Sequence, residues 1–313
     1  NLNITPELLQ QSDFLNFVNK QGQATQEENI KIHETAFVTS TFRAFDENLS
    51  KDNFAKLWQN STTENWIKEY LNQVSSEETF THCLRNRYFL DTIKDLIQNQ
   101  QIEAVINFGS GFSMYPFLVE EKIVHIEIDK PEIINYKKTK IKEWQEKNVL
   151  PERNIHFIGV DFSKNYKQGL FSKIQSIKGN KSTFILIEGV LFFLTREETN
   201  DLFNFFDTIQ TSDDYIGSAS FQETIKDTKA FQNLLDFFNK KVSKTTESDY
   251  QTIENQYYKS KENYKLIDHQ DYFSLSKKYG NNINQSKELI LNENFYLLKK
   301  TEKKPGCNPV LNK

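Results

Sequence analysis

Two glycines and an acid are the residues of this sequence best placed to do chemistry. Gly109-Ser110-Gly111 follows an apolar run within VINFGSGFSMYPFLV, and a second apolar run, IVHIEID, ends in Asp129. Glycine tolerates a sharp turn and puts no Cβ in the way of a ligand. A glycine turn after one buried strand and an acid at the end of the next is how a doubly wound sheet holds an adenosyl ligand. The acid accepts hydrogen bonds from ribose hydroxyls, and the bare turn lets backbone approach the rest of the molecule. Met114 stands where a dinucleotide fingerprint has its third glycine, which disfavours a nicotinamide cofactor. On these residues alone, a plain α/β turn remains the alternative.

The elements that must position these residues follow from hydrophobic spacing. Residues 1–95 read as helical: apolar positions recur at helical intervals in LLQQSDFLNFV, FAKLW and ENWIKEYLNQV, with Ser12-Asp13 and residues 61–63 as caps. The segment 34–48, ETAFVTSTFRAFDEN, mixes small and aromatic residues and is expected to lie against the ligand. A helix over 84–98 leads into the first strand. Strands are expected near 103–108, 123–128, 155–159, 183–188 and 214–220, and helices near 113–119, 131–147, 166–177 and 196–210. Pro131 suits a first helical turn, and Thr195 followed by Glu197-Glu198 reads as a helix start. This alternation predicts a parallel sheet with helices on both faces. Residues 222–292 break the rhythm and are expected to form a cap or lid, with a closing strand, ENFYLLKK, after them. The chain divides accordingly into a helical segment (1–95), a cofactor-binding core (96–221), the cap insertion (222–292) and the closing strand with its tail (293–313), all within one continuous domain.

Composition narrows the classes of function. With 313 residues the chain is long enough for one large α/β domain with additions, and its 26 Phe and 13 Tyr supply much of the core. The net charge of -4 argues against a general nucleic-acid binder, and KKTEKK reads as a solvated tail. No apolar run is long enough for a membrane helix. The stretch NLNITPELLQQSDF has no basic region followed by an apolar one, so no secretory leader is expected in it. Cys83 and Cys307 are too few for a disulfide framework, so a reducing, cytoplasmic location is expected. The five histidines show no metal-ligand spacing, and His125 and His156 are expected as satisfied core residues. No metal site is expected.

The ordered motifs LRNRYFLD, VINFGSGF, HIEIDKPEIINYKKTKI, GVDFS and ILIEGVLFFLTREET resemble the leucine carboxyl methyltransferase family, including its bacterial small-molecule O-methyltransferase branch. The resemblance runs from Glu34 to Asn204, with an echo at ENFYLLKK. It implies an α/β, Rossmann-like class I methyltransferase. The expected fold is a seven-stranded, mostly parallel sheet with a helical N-terminal segment and a cap. The implied cofactor is S-adenosylmethionine. Carried over position by position, Arg85 meets the methionine carboxylate, Gly109 and Gly111 form the first turn, and Asp129 holds the ribose. Asp161 and Phe162 frame the adenine, and Glu188 lies beside the methionine moiety. Phe112 and Ser113 depart from the acidic or polar residue usual after the second glycine.

Read without the resemblance, Arg85 and Arg87 are more readily surface helix charges, and their spacing lets only one point inward. Asp161 is equally a turn cap. Glu188 ends the buried run FILI, where an unpaired charge is costly, so a role for it is favoured on physics alone. Glu127 shares a strand face with Asp129 and is the second-choice acid.

The function expected is methyl transfer from S-adenosylmethionine to a carboxylate or hydroxyl of a small metabolite. The alternatives are a protein C-terminal leucine carboxyl methyltransferase, and a non-catalytic cofactor-binding partner protein. No base stands out in the sequence, which mildly favours a carboxylate acceptor, already ionised near neutral pH. Tyr257, Tyr258 and His269 are the acceptor-side candidates. The expected partners are a small-molecule acceptor or a peptide C-terminus, with neither nucleic acid nor membrane.

Overall fold

The computed structural model describes residues 26–241 and 250–302, with side chains over 36–238 and 250–302. The expected helix LLQQSDFLNFV with its Ser12-Asp13 cap, the end of KKTEKK, and Cys307 lie outside the described residues.

Three long helices open the described chain: α1 (Gln26–Phe45), α2 (Ser61–Gln73) and α3 (Glu78–Gln98). The α2 cap is Asn60, one residue before the expected stretch. Its side chain accepts from the Thr62 and Thr63 amides while Thr63 reaches back to the Asn60 amide. Five strands then alternate with helices: β1 (Ala104–Phe108), β2 (Val124–Asp129), α4 (Pro131–Glu146), β3 (Ile155–Gly159), α5 (Lys167–Lys178), β4 (Thr183–Ile187), α6 (Arg196–Ile209) and β5 (Tyr215–Phe221). These match the expected positions within a few residues. Pro131 occupies the first turn of α4, and Thr195 caps α6 in a reciprocal pair with Glu198.

After β5 come α7 (Lys229–Lys241), β6 (Tyr264–Asp271), α8 (Tyr272–Tyr279) and β7 (Glu293–Lys300). The seven strands form one sheet in the order β3-β2-β1-β4-β5-β7-β6, with β7 antiparallel to both its neighbours. The sheet is the expected α/β, Rossmann-like, mostly parallel arrangement. One expectation is corrected here. Residues 264–271, expected inside the cap, are the edge strand of the sheet, and α8 packs Tyr272 and Leu275 into the core beneath it. The segment around α7 lies outside the sheet.

Strand β1 is buried on both sides, as a parallel central strand must be. Ile106, Phe108, Ile126, Ile128, Ile185 and Ile187 face α5 and α6. Val105, Phe184 and Leu186 face α3, where Phe89 and Ile93 lie. Gly217 of β5 lets these layers close, since a Cβ there would meet the Phe184 ring at 2.5 Å and the Phe89 ring at 2.9 Å. Strand order reverses between β1 and β4, and the crevice beyond the carboxyl ends of such neighbours is where open α/β sheets bind ligands. Over this end, α1, α2 and α7 share one apolar cluster: Phe42, Ile67, Tyr70, Phe231 and Leu234, with Phe192 from the loop after β4 packed against it.

Candidate functional site

The turn after β1 is built from both glycines. Gly109 has φ +71° and Gly111 φ +42°, a region in which side chains are strained. A Cβ on Gly109 would also strike Val190 Cγ2 at 2.2 Å. The Gly109 and Ser110 amides both donate to the Ile128 carbonyl, at 2.8 and 3.1 Å, fastening the turn to β2. Asp129 then ties the turn to the start of α4. Its Oδ2 accepts from the Gly111 amide at 2.8 Å and its Oδ1 from the Lys130 amide at 2.7 Å. Burial raises the Asp129 pKa, and these two amide bonds oppose the shift. Each carboxylate oxygen retains capacity for a further donor. Residues of segment 34–48 reach this turn: Ala36 is 3.7 Å from where a Gly111 Cβ would stand, and Arg43 donates to the Phe112 carbonyl and pairs with Asp52 at 3.0 Å.

Asp161 and Phe162 follow β3, beside the end of β2, where the Val160 amide donates to the Asp129 carbonyl. The Asp161 carboxylate accepts from the Ser163 amide and hydroxyl and pairs with Lys164 at 2.8 Å. The hydrogen bond from Lys164, then those from Ser163, hold its pKa down at about 2. Its own contacts are therefore those of a turn cap. Phe162 is 38% exposed, its ring edge-on to Tyr166 with centroids 5.2 Å apart.

At the ends of β4 and β7 lies a buried polar cluster. The Arg85 Nη1 donates to both Glu293 oxygens at 3.0 Å, and its Nε lies 3.4 Å from Glu188. The Tyr115 hydroxyl sits 3.3 Å from both Glu188 oxygens. The Arg85 Nη2 contacts His82 Nδ1 at 3.0 Å, and Glu78 completes the group. Arg85 points inward, whereas Arg87 pairs with Asp91 nearer the surface at 2.7 Å. The sequence reading found Arg85 and Glu188 but missed Glu78, His82, Tyr115 and Glu293. The one available signal was Glu293, an acid opening an apolar strand.

The structure does not bring the acceptor-side candidates to this cluster. Tyr258 is buried, its hydroxyl 3.2 Å from Ser218 Oγ and 2.9 Å from Ser220 Oγ, and its ring stacks on Tyr296 at 3.8 Å. His269 also stacks on Tyr296, at 4.7 Å, and contacts Asn294 Oδ1 at 2.8 Å. Tyr257 packs on Phe203, with Lys261 over its ring at 3.9 Å. Asn294 and Tyr296 alternate along β7 with Glu293 and Phe295, so these contacts occupy the strand face opposite Arg85. Glu127, the second-choice acid, pairs with Lys137 at 2.6 Å, both fully buried. His125 is buried as expected but is not satisfied: neither ring nitrogen has a partner among the described residues, and burial holds its pKa down at about 3. Among the described residues no group of His, Cys, Asp or Glu is arranged to hold a metal, and no helix is long and apolar enough to cross a membrane.

A family model described as leucine carboxyl methyltransferase matches residues 34–207. No curated protein matches the chain by sequence. Two of the solved structures that share the fold serve as comparisons. One, from Thermobifida fusca YX and described as a candidate methyltransferase, is 11% identical with a TM-score of 0.60, over 85% of this chain and 94% of that one. The other, a DUF574 family protein from Streptomyces avermitilis MA-4680, is 7% identical with a TM-score of 0.54, over 85% and 97%. The family's cofactor is S-adenosylmethionine, and the residues present suit it: a carboxylate with spare acceptor capacity after β2, an exposed ring after β3, and paired charges after β4. With a family match over more than half of its length and the seven-stranded sheet to carry it, the chain belongs to the leucine carboxyl methyltransferase family of S-adenosylmethionine-dependent methyltransferases.

Proposed function

We propose that this protein transfers a methyl group to an oxygen of a small metabolite, a carboxylate or a hydroxyl. The observation that carries the reading is the position of the cap. The loop after β4 begins at Glu188 and brings Phe192 against Phe231 and Phe238 of α7, with ring centroids 6.2 Å away in each case, and against Tyr250 at 5.0 Å. An aromatic cover over the charged end of the sheet suits a small, largely apolar acceptor and excludes water.

Bound S-adenosylmethionine supplies a methyl group on a sulfonium sulfur, which needs no further activation by the protein. The residues of the chain would bind and orient. Asp129 would take the ribose hydroxyls, with Gly109 and Gly111 clearing the backbone path. Phe162 would cover the adenine, beside Asp161. Glu188 and Arg85 would hold the charged methionine end, with Arg85 exchanging part of its contact with Glu293 for the ligand carboxylate. Catalysis then comes from placing the acceptor in line and keeping water out.

The test is turnover of labelled methyl donor with a panel of small carboxylic acids, phenols and alcohols, alongside peptides ending in leucine. Label in a small metabolite is expected. Label in the peptide alone would favour the protein-directed alternative. Cofactor binding without transfer to any acceptor would favour the non-catalytic one.

A further inference from the structure

Glu78 lies in the first turn of α3 and is 4% exposed. It faces Tyr70 from α2, His82 and Arg85 from its own helix, and Glu293 from β7. Its Oε2 accepts from the Tyr70 hydroxyl at 3.2 Å and faces His82 Nε2 at 3.6 Å. A guanidinium only donates, so His82 Nδ1 accepts from Arg85 and the ring proton sits on Nε2, aimed at Oε2. His82 is neutral, because burial, then the Arg85 and Arg43 charges, hold its pKa well below the usual range. Both donors therefore address one oxygen of Glu78. The other, Oε1, is buried with no hydrogen-bond partner among the described residues. Such an atom is costly without a hydrogen-bond partner.

The position of this oxygen suits an acceptor. Tyr70 belongs to the cap cluster, as does Phe42, which stacks on His82 at 4.9 Å. Glu188 and Glu293 belong to the sheet end. Glu78 is the acid between cap and sheet. Charge selects the acceptor further. Glu78, Glu188 and Glu293 surround the single guanidinium of Arg85, with Arg43 farther off and paired to Asp52. An acceptor carboxylate would add another anion to this group, whereas an uncharged hydroxyl would not.

We propose that Glu78 takes up the acceptor's proton through Oε1, and that the acceptor is therefore a hydroxyl rather than a carboxylate. This rests on the methyl-transfer reading above. In the step, the hydroxyl oxygen bonds to the methyl carbon, the carbon–sulfur electron pair goes to sulfur, and the hydroxyl proton passes to the Glu78 carboxylate. The products are a methyl ether, a neutral thioether and a protonated Glu78, which returns its proton to solvent. In the free protein, burial and the Glu293 charge raise the Glu78 pKa to about 8, so the acid is protonated at neutral pH. The amino-acid end of the cofactor is a zwitterion, so its net charge is that of the sulfonium. A sulfonium bound at this end of the sheet favours the ionised carboxylate, and the base is made ready only when the methyl donor is in place.

Calorimetric titration at pH 7, in two buffers of different ionisation enthalpy, reads the protons released on binding. The wild-type protein should release close to one proton with S-adenosylmethionine and fewer with the uncharged-sulfur S-adenosylhomocysteine. Glu78→Gln, which keeps the shape of a neutral acid, should bind both ligands with similar affinity and lose that difference. Equal release by wild type and Glu78→Gln overturns the assignment. Failure of both ligands to bind the wild-type protein overturns the methyl-transfer reading, and this proposal with it. In turnover, transfer to a phenol or alcohol slowed about 100-fold or more by Glu78→Gln supports the role. Transfer to a carboxylate at a rate that Glu78→Gln leaves unmoved overturns it.

Discussion

Both oxygens of Asp129 already hold a backbone amide, so this side chain shapes the turn before any ligand arrives. Ribose hydroxyls would add charge-assisted bonds to a carboxylate that the protein has fixed in place. Asp129→Ala should weaken S-adenosylmethionine binding by about 1.5–3 kcal/mol per lost bond, measured by calorimetry on the folded variant. Unchanged affinity would remove Asp129 from the site. Arg85 offers a sharper contrast, since its planar fork reaches three partners at once, Glu293 from Nη1, Glu188 from Nε and His82 from Nη2, which a lysine cannot reproduce. Arg85→Lys is expected to lose more affinity for S-adenosylmethionine than for adenosine, and equal losses would place the methionine carboxylate elsewhere. Gly109, Asp129, Arg85 and Glu188 were legible because short motifs carry them. Glu78, His82, Tyr115 and Glu293 were not. They meet only through packing between α3, the turn and β7, and Arg85 and Glu293 stand 208 positions apart.

The strands and helices of residues 104–221 were readable for a physical reason. Buried parallel strands are continuous apolar runs, and each crossover helix carries its own periodicity and cap signals. Strand β6 escaped the same reading because an edge strand lacks that signature. YKLIDHQD alternates weakly, is buried mainly at Tyr264, leaves Ile267 46% exposed, and shifts register between Leu266 and Asp268. The cap is the element on which acceptor choice depends in the proposed reading. Phe231 and Leu234 anchor α7 to Phe42, Ile67 and Tyr70, so truncating both to alanine should loosen the cap without touching the turn at Gly109. We expect transfer to fall at least tenfold while S-adenosylmethionine affinity stays nearly constant, with amide exchange faster across 229–238. A parallel loss of cofactor affinity would mean that the cap supports the cofactor site rather than the acceptor site.

At the scale of the whole molecule, the buried ionisable groups make stability depend on pH in opposed ways. His125, held at about 3, and His82, also lowered, bind fewer protons in the folded state than in the unfolded one at mildly acid pH. Their contribution grows as pH rises toward the ordinary histidine value and is complete above it. Glu78 acts in reverse. Its pKa of about 8 lies above the unfolded value of 4.5, so the folded state binds the extra proton between these limits. The stability it contributes is fully present below pH 4.5 and is lost as pH rises through 8. Between about pH 6.5 and 8 the histidine contribution has levelled off, and Glu78 begins to ionise; burial, then the Arg196 charge, lower the Lys261 pKa to about 8, so Lys261 opposes the Glu78 decline only toward the upper end of this window. Unfolding free energy of the wild-type protein should therefore decline across this window by at most about 1.4 kcal/mol per pH unit, the slope for one proton. Glu78→Gln cannot ionise and should remove the decline, so denaturant titrations at pH 6.5 and 8 should show stability falling for the wild type but not for the variant. Parallel declines in both proteins would show that Glu78 is already ionised at neutral pH, paired more strongly with Arg85 and His82 than its burial implies.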